Sequence, residues 1–221
     1  MRILVVTPIL REPNGRARLY ARAVASILNL QWPGQIDHYV ANGGDDYLQP
    51  SETVTRKYQE AREVFLAGKW DYLFAAEYDM ILPPDTLTRL VNLEADIAYG
   101  LYVFRHGQPK WNAALTVQEK FWQSFADVPT IVAARAWNTV QTVAGLGMGC
   151  TLLKRETVAA LPFRNWKGVA CDWALAYDAL GMGLTQRMDL GVVCGHMSLL
   201  PAPCVFWPDV NEPELYRVEN L

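Results

Sequence analysis

Two carboxylates, Glu77 and Asp79, stand two residues apart in the stretch Asp71–Pro84, Asp-Tyr-Leu-Phe-Ala-Ala-Glu-Tyr-Asp-Met-Ile-Leu-Pro-Pro. Carboxylates that leave a buried strand are costly unless something cationic meets them. A hard divalent ion sharing its coordination sphere with diphosphate oxygens would satisfy both. A strand-end turn whose acids face water explains the pair as well, because acid-x-acid is a common spacing. Three later features carry chemistry of the same kind. Asp172 sits where a helix should begin, between Trp166 and Trp173, and its type suits an N-cap. Gly145-Leu146-Gly147-Met148-Gly149 allows close backbone approach, either to a ligand or within a bulged strand pair. His196 follows a late strand, as a metal ligand or as a histidine bound to backbone.

The elements that must position these residues follow from hydrophobic periodicity. The run before Glu77 is apolar and aromatic, which suits a buried strand, and Pro83 and Pro84 make its exit an ordered loop. In an open α/β sheet that end is where ligands bind. Upstream, Ile3–Thr7 reads as a strand stopped by Pro8, and a helix should start near Arg16 with Tyr20, Val24, Ile27 and Leu28 at helical spacing. Ile36–Asn42 is a second strand ending in Asn42-Gly43-Gly44-Asp45-Asp46. Ser51 suits an N-cap for a helix with Val54, Tyr58, Ala61 and Phe65 on one face, ended by Gly68. This β-α-β-α-β order predicts a mostly parallel sheet covered by helices on both faces.

Downstream, Asp85 is placed to cap a short helix holding Leu87, Leu90 and Val91, and Asp96–Val103 reads as a strand. Phe104–Thr139, with Lys110-Trp111-Asn112, suggests a hairpin-rich excursion. Strand character returns at Val140–Ala144, Thr151–Lys154, Leu184–Asp189 and Val192–Cys194. Helices are expected over Glu156–Leu161 and from Asp172, the latter burying Trp173, Ala176, Tyr177 and Leu180. The tail from Pro201 should pack along the outside. One domain over 1–200 is expected, in two halves over 1–103 and 104–200, with a tail over 201–221.

Composition narrows the function classes. Hydrophobic residues make up 51% of the 221-residue chain and charged ones 19%, enough for a core and against disorder. A net charge of −3 argues against a nucleic-acid partner. No apolar run approaches the ~18 residues needed to span a bilayer, and the N-terminal run lacks a signal peptide's form. Cys150, Cys171, Cys194 and Cys204 show no Cys-x-x-Cys spacing and read as reduced thiols, so a cytoplasmic location is expected.

The order of parts resembles the GT-A fold glycosyltransferases, family-2-type, from Met1 to about Met197. The parts are a first strand ending in Thr7-Pro8, a polar turn after the second, acid-x-acid after the third, and Asp-Ile-Ala-Tyr-Gly. A glycine cluster, an acid opening a helix and a late histidine follow. The resemblance implies a nucleotide-diphosphate sugar as donor, a UDP-sugar by default, and a carbohydrate or other hydroxyl as acceptor. It implies Mn2+ or Mg2+ held by Asp79 and His196, with Glu77 at the metal or the ribose; Glu replaces the family's first Asp. It implies Tyr78 and the donor-facing Gly147 and Gly149 near the nucleotide sugar. Thr7, Pro8, Leu10, Glu12, Asn42, Gly43 and Asp45 would lie around the nucleoside, and Arg56 or Arg62 at base or phosphate. Asp172 becomes the base of an inverting transfer, with Trp166 and Trp173 as acceptor-site aromatics. A retaining transferase of the same fold remains open. A sugar-phosphate nucleotidyltransferase ranks lower, because Pro8-Ile9-Leu10-Arg11-Glu12-Pro13 has too few glycines and one base. A non-catalytic carbohydrate-binding domain would leave Glu77, Asp79, Asp172 and His196 unrelated.

Overall fold

The computed structural model describes residues 1–10, 20–42, 50–104, 109–112, 114–117, 122–124, 139–145, 147–165, 171–198 and 202–221. Strands β1 (Arg2–Pro8), β2 (Gln35–Ala41) and β3 (Tyr72–Ala76) are parallel, with β1 in the middle. Helices α1 (Ala21–Leu28) and α2 (Pro50–Ala67) connect them. Then come β4 (Met80–Ile81), α3 (Thr86–Val91), β5 (Ile97–Leu101) and the short strands β6 (Val103–Phe104), β7 (Lys110–Trp111), β8 (Ala114–Val117) and β9 (Trp122–Ser124). The rest is β10 (Val140–Thr142), β11 (Cys150–Lys154), α4 (Arg155–Ala160), α5 (Cys171–Gly181), β12 (Gln186–Val193), β13 (Gly195–Ser198), β14 (Cys204–Pro208) and β15 (Tyr216–Asn220).

The central sheet has seven strands in the order β10-β12-β5-β11-β3-β1-β2. Only β11 and β10 run against the others, so the sheet is mostly parallel. Side chains on a strand alternate between faces, and both faces here are covered, so strands read as unbroken apolar runs. Leu4 and Val6 enter one core with Tyr58, Ala61 and Phe65 of α2, Val158 of α4 and Leu175 of α5. Ile3 and Val5 enter the other with Ile27 of α1 and Leu87 and Leu90 of α3. The α/β class with helices on both faces is therefore as expected. The strand order switches at β1, which has β2 on one side and β3 on the other, and in open parallel sheets ligands bind outside the carboxyl ends at such a point.

Two arginines lock α2 to α4. Arg62 donates to the carbonyls of Val158 (2.8 Å), Ala159 (2.9 Å) and Leu161 (3.2 Å) at the end of α4. Arg155 donates to Phe65, Leu66 and Trp70 carbonyls at the end of α2. Helix C-termini leave carbonyls without intrahelical partners, and guanidinium groups satisfy them. Gly68 follows α2 as expected, for a steric reason: a Cβ there would lie 1.8 Å from the Trp70 ring.

Four expectations are corrected. The tail is not an outer appendage. β14 and β15 complete a second sheet, β15-β14-β13-β4, and the Trp111 indole donates to the Leu215 carbonyl at 2.7 Å inside the core. Helix α5 buries Cys171, Ala174, Leu175, Ala176 and Ala179, while Tyr177 and Leu180 are exposed. Its sequence is apolar nearly all round, so periodicity does not fix its inner face. Asp85 precedes α3 without a side-chain cap bond, and Ser51 lies inside α2. The two late strands are one, β12, with an irregularity between Asp189 and Val193. Among the described residues no helix is long and apolar enough to cross a membrane.

A candidate active site at the carboxyl edge of the sheet

Glu77-Tyr78-Asp79 forms a tight turn between β3 and β4. The Glu77 amide donates to the Gly149 carbonyl at 3.2 Å, and its carbonyl accepts from the Met80 amide at 3.0 Å. The turn sends neighbouring side chains opposite ways. Tyr78 stacks on Tyr20 at 5.7 Å within a cluster containing Ile9, Ala23 and Met197. Tyr78, expected near the nucleotide sugar, is packed among these side chains. Leu10 packs against the same cluster. Thr7 and Pro8 are buried at the end of β1, beside the Ala41–Asn42 end of β2, where the Ile9 amide donates to the Ala41 carbonyl.

Asp79 is almost fully buried, and its Oδ2 lies 3.7 Å from Nε2 of His196, which is buried too. The Met197 amide donates to the Asp79 carbonyl, fixing β13 against the turn. The His196 ring is held from behind: its Nδ1 is 2.7 Å from the Val103 carbonyl. A carbonyl only accepts, so Nδ1 carries the proton and Nε2 is the atom aimed at Asp79. Of the two alternatives the sequence sets up, the backbone-bound histidine is present, and its second ring nitrogen faces Asp79.

Glu77 faces inward, with the Tyr58 hydroxyl 3.4 Å from its Oε1. Burial and then the nearby Glu77 carboxylate push the Tyr58 and Tyr102 hydroxyls well above the ordinary phenol range, and Asp172 adds to both. Glu77 and Asp172 therefore both lie near the same two tyrosines. Asp172 is the second residue of α5, and its Oδ1 accepts from the Trp173 amide at 2.8 Å. Burial raises its carboxyl above the ordinary range, against the backbone amides that it accepts from.

The glycine cluster serves the protein's own packing. Gly147 has φ +87°, and a Cβ there would lie 1.9 Å from the Tyr102 hydroxyl. A Cβ on Gly149 would come within 3.0 Å of the same ring. Tyr102 fills the space that the missing side chains of Gly147 and Gly149, expected to face the donor, leave. Arg62, expected at base or phosphate, has its guanidinium on the carbonyls at the end of α4. Arg56 is exposed on α2, and Trp173 is half-buried against Ala114, Ala144 and Ala176. Glu12, Gly43, Asp45 and Trp166 lie outside the described residues.

Sequence reasoning passed over Tyr58, Tyr102 and Asn112. Tyr102 reads as one more residue of the Asp96–Val103 run, and Tyr58 as part of a helix face. Asn112 is fully buried, and its signal was there: an amide beside a tryptophan in a chain segment that must return to the core.

Among the described residues, no group of three or more His, Cys, Asp or Glu side chains is arranged to hold a metal ion. Asp79 and His196 make a two-residue pair.

No protein-family model matches the chain, and no curated protein matches its sequence. The chain superposes on the crystal structure of A197 from STIV with a TM-score of 0.62 and 13% identity, covering 100% of this chain and 94% of that one. That likeness shows the fold. S. aureus TarS 1-349 in complex with UDP gives a TM-score of 0.48 at 13% identity, over 85% of this chain and 57% of that one. The same protein with UDP-GlcNAc gives 0.49 at 12% identity, over 85% and 56%. Superpositions that loose carry no functional argument.

Proposed function

We propose that the chain is a glycosyltransferase of the GT-A type, using a nucleotide-diphosphate sugar as donor and a hydroxyl as acceptor. One observation carries the proposal. Glu77 and Asp79 from one turn, Asp172 from α5 and His196 from β13 gather near the buried Tyr58 and Tyr102 at the carboxyl edge of a mostly parallel sheet, with Asp79 facing His196. A turn motif or a carbohydrate-binding scaffold has no need to keep an acid and an imidazole buried together there.

The donor set fits a divalent ion. Asp79 offers a carboxylate oxygen, and Nε2 of His196 is turned toward it by the Val103 carbonyl, as metal-binding imidazoles are commonly oriented. Two protein ligands suit Mn2+ or Mg2+, which take the rest of their shell from phosphate and water. When bound, such an ion would neutralise charge on the leaving diphosphate. Glu77, hydrogen-bonded to Tyr58, would meet the ribose or a water on the metal. Thr7, Pro8 and Asn42 border the crevice proposed for the nucleoside.

Asp172 would act as general base. Its raised pKa moves it toward the range where a carboxylate takes a proton effectively. The acceptor hydroxyl would lose its proton to Asp172 as its oxygen bonds to the anomeric carbon and the bond to diphosphate breaks. Inverted stereochemistry follows from this single displacement.

Thermal melts with uridine, guanosine and thymidine diphosphates, with and without Mn2+, test the proposal. At a hundredfold excess over Kd the bound nucleotide should raise Tm by about 5–10 °C, and only with metal present. If none of the three shifts the melt under either condition, the proposal fails.

A further inference from the structure

Tyr102 touches both halves of the candidate site and belongs to neither. Its ring stands perpendicular to the His196 ring at 5.5 Å between centroids. Its hydroxyl accepts from the Gly149 amide at 3.3 Å and occupies the space a Gly147 side chain would need. The next residue, Val103, supplies the carbonyl that holds His196 Nδ1. Two consecutive residues thus seat the imidazole, one by a hydrogen bond and one by an aromatic edge.

The backbone of Tyr102 is clamped in turn. Strand β5 ends at Leu101, where a buried peptide needs new partners. Asn112 provides them: its Oδ1 accepts from the Tyr102 amide at 2.8 Å, its own amide donates to the Tyr102 carbonyl at 2.9 Å, and its Nδ2 donates to the Gly100 carbonyl at 3.0 Å. Phe104 packs edge-on against the ring from a third side. A side chain held this way has one position available.

Tyr102 also reaches the acid turn indirectly, because Gly149 accepts from the Glu77 amide. The chain of contacts runs from His196 through Tyr102 to Gly149 and Glu77, beside the backbone pairing that joins β13 to the end of the acid-x-acid turn. We infer that Tyr102 is a positioning residue that holds His196 and the Gly147–Gly149 turn in register, through its ring and its hydroxyl respectively. Its link to nucleotide binding rests on the proposed function; its link to local geometry does not.

Two variants separate the ring from the hydroxyl. Tyr102→Phe removes the acceptor for Gly149 and keeps the edge against His196. Tyr102→Leu removes both. In NMR spectra of the full chain, Phe should shift the Gly149 amide resonance and leave the His196 ring protons in place, while Leu should move both. Calorimetry with Mn2+ and uridine diphosphate should show affinity about 10–100-fold weaker for Leu, the usual cost of losing a residue that orients a ligand, and less than tenfold weaker for Phe. Unmoved His196 resonances in the Leu variant, or unmoved Gly149 in the Phe variant, would overturn the inference. So would a folded Leu variant that binds as wild type does. If Leu does not fold, the Gly149 shift in the Phe variant decides. If the wild type binds no nucleotide, the proposed function fails while the two NMR results still decide the positioning role.

Discussion

The two ends of the central sheet treat their carboxylates in opposite ways. At the amino end, Asp37 accepts from the Trp70 indole at 2.6 Å, from Gln35 and from Arg2, and these bonds, that of Trp70 foremost, hold it below the ordinary carboxylate range. Asp96 is likewise held low there: partial burial opposes it, but the Thr185 amide and hydroxyl and Lys154 prevail. At the carboxyl end, Asp172 is pushed up by burial, and Asp79 is buried against His196. The amino end resembles a clasp whose charges are matched for stability. The carboxyl end keeps charges in surroundings that disfavour them, the pattern of a site built to work on something else.

The largest expected effect bears on that contrast directly. Asp172→Asn should lower sugar transfer by about 10²–10⁴-fold, the usual contribution of a general base. It should not lower stability, because the Asn side-chain oxygen can still accept from the Trp173 amide. The pH dependence has a definite sign. The folded pKa of Asp172 lies above its unfolded value, so ionisation opposes folding: the penalty is absent below the unfolded pKa and complete above the folded one. The Asn variant should therefore melt higher than wild type near neutrality, with the difference closing on acidification through the carboxylate range. A variant that melts lower at neutral pH would make Asp172 a structural residue. Near-normal turnover would favour a retaining mechanism.

The amino end should behave in reverse. Asp37→Ala should cost about 1 kcal/mol, since charge-assisted bonds at a half-exposed site are screened by solvent. Because the folded pKa of Asp37 is depressed, its contribution is present above the unfolded pKa and lost as pH falls through the folded value. Denaturant unfolding of wild type and variant should converge in acid and separate above it. If Asp37→Ala also abolished nucleotide binding, the division between the two ends would break down.

The smallest effect is expected at Arg62. Arg62→Ala removes three bonds at the end of α4 and should cost about 1 kcal/mol of stability. Nucleotide affinity should stay unchanged, because the guanidinium does not face the crevice. A tenfold loss of affinity in calorimetry would return Arg62 to the binding site.

These residues also show what a single sequence makes legible. An apolar run closed by Pro8 marks β1 and an apolar, aromatic run marks β3, and the turn Glu77-Tyr78-Asp79 stands out because two acids follow a buried strand. The alternation β-α-β-α-β then fixes which end of the sheet faces a ligand. Periodicity fails where its premise fails: α5 is apolar on most of its surface, so Tyr177 and Leu180 look as fit for the core as Ala174 and Leu175. The bonds of Arg62 to the α4 carbonyls are not legible, because charge on a helix near a motif says nothing about which carbonyls it will meet. The glycines read as allowing close approach to a ligand or within a bulged strand pair, and the side chain that packs against them is Tyr102, some 45 positions earlier in the chain. Long-range packing of that kind, like the pairing of β14 and β15 with β13, leaves no local trace.

The most direct test is calorimetric titration of uridine diphosphate into wild type and Asp79→Asn, each with and without Mn2+. The Asn side chain has the shape of the carboxylate without its charge, so the fold should survive, as an unchanged circular dichroism spectrum would confirm. Wild type should bind in the presence of Mn2+ and not in its absence, and the variant should bind in neither condition. Equal affinity in wild type and a folded Asp79→Asn, with Mn2+ present, would contradict the assignment of Asp79 and the metal-dependent donor site with it.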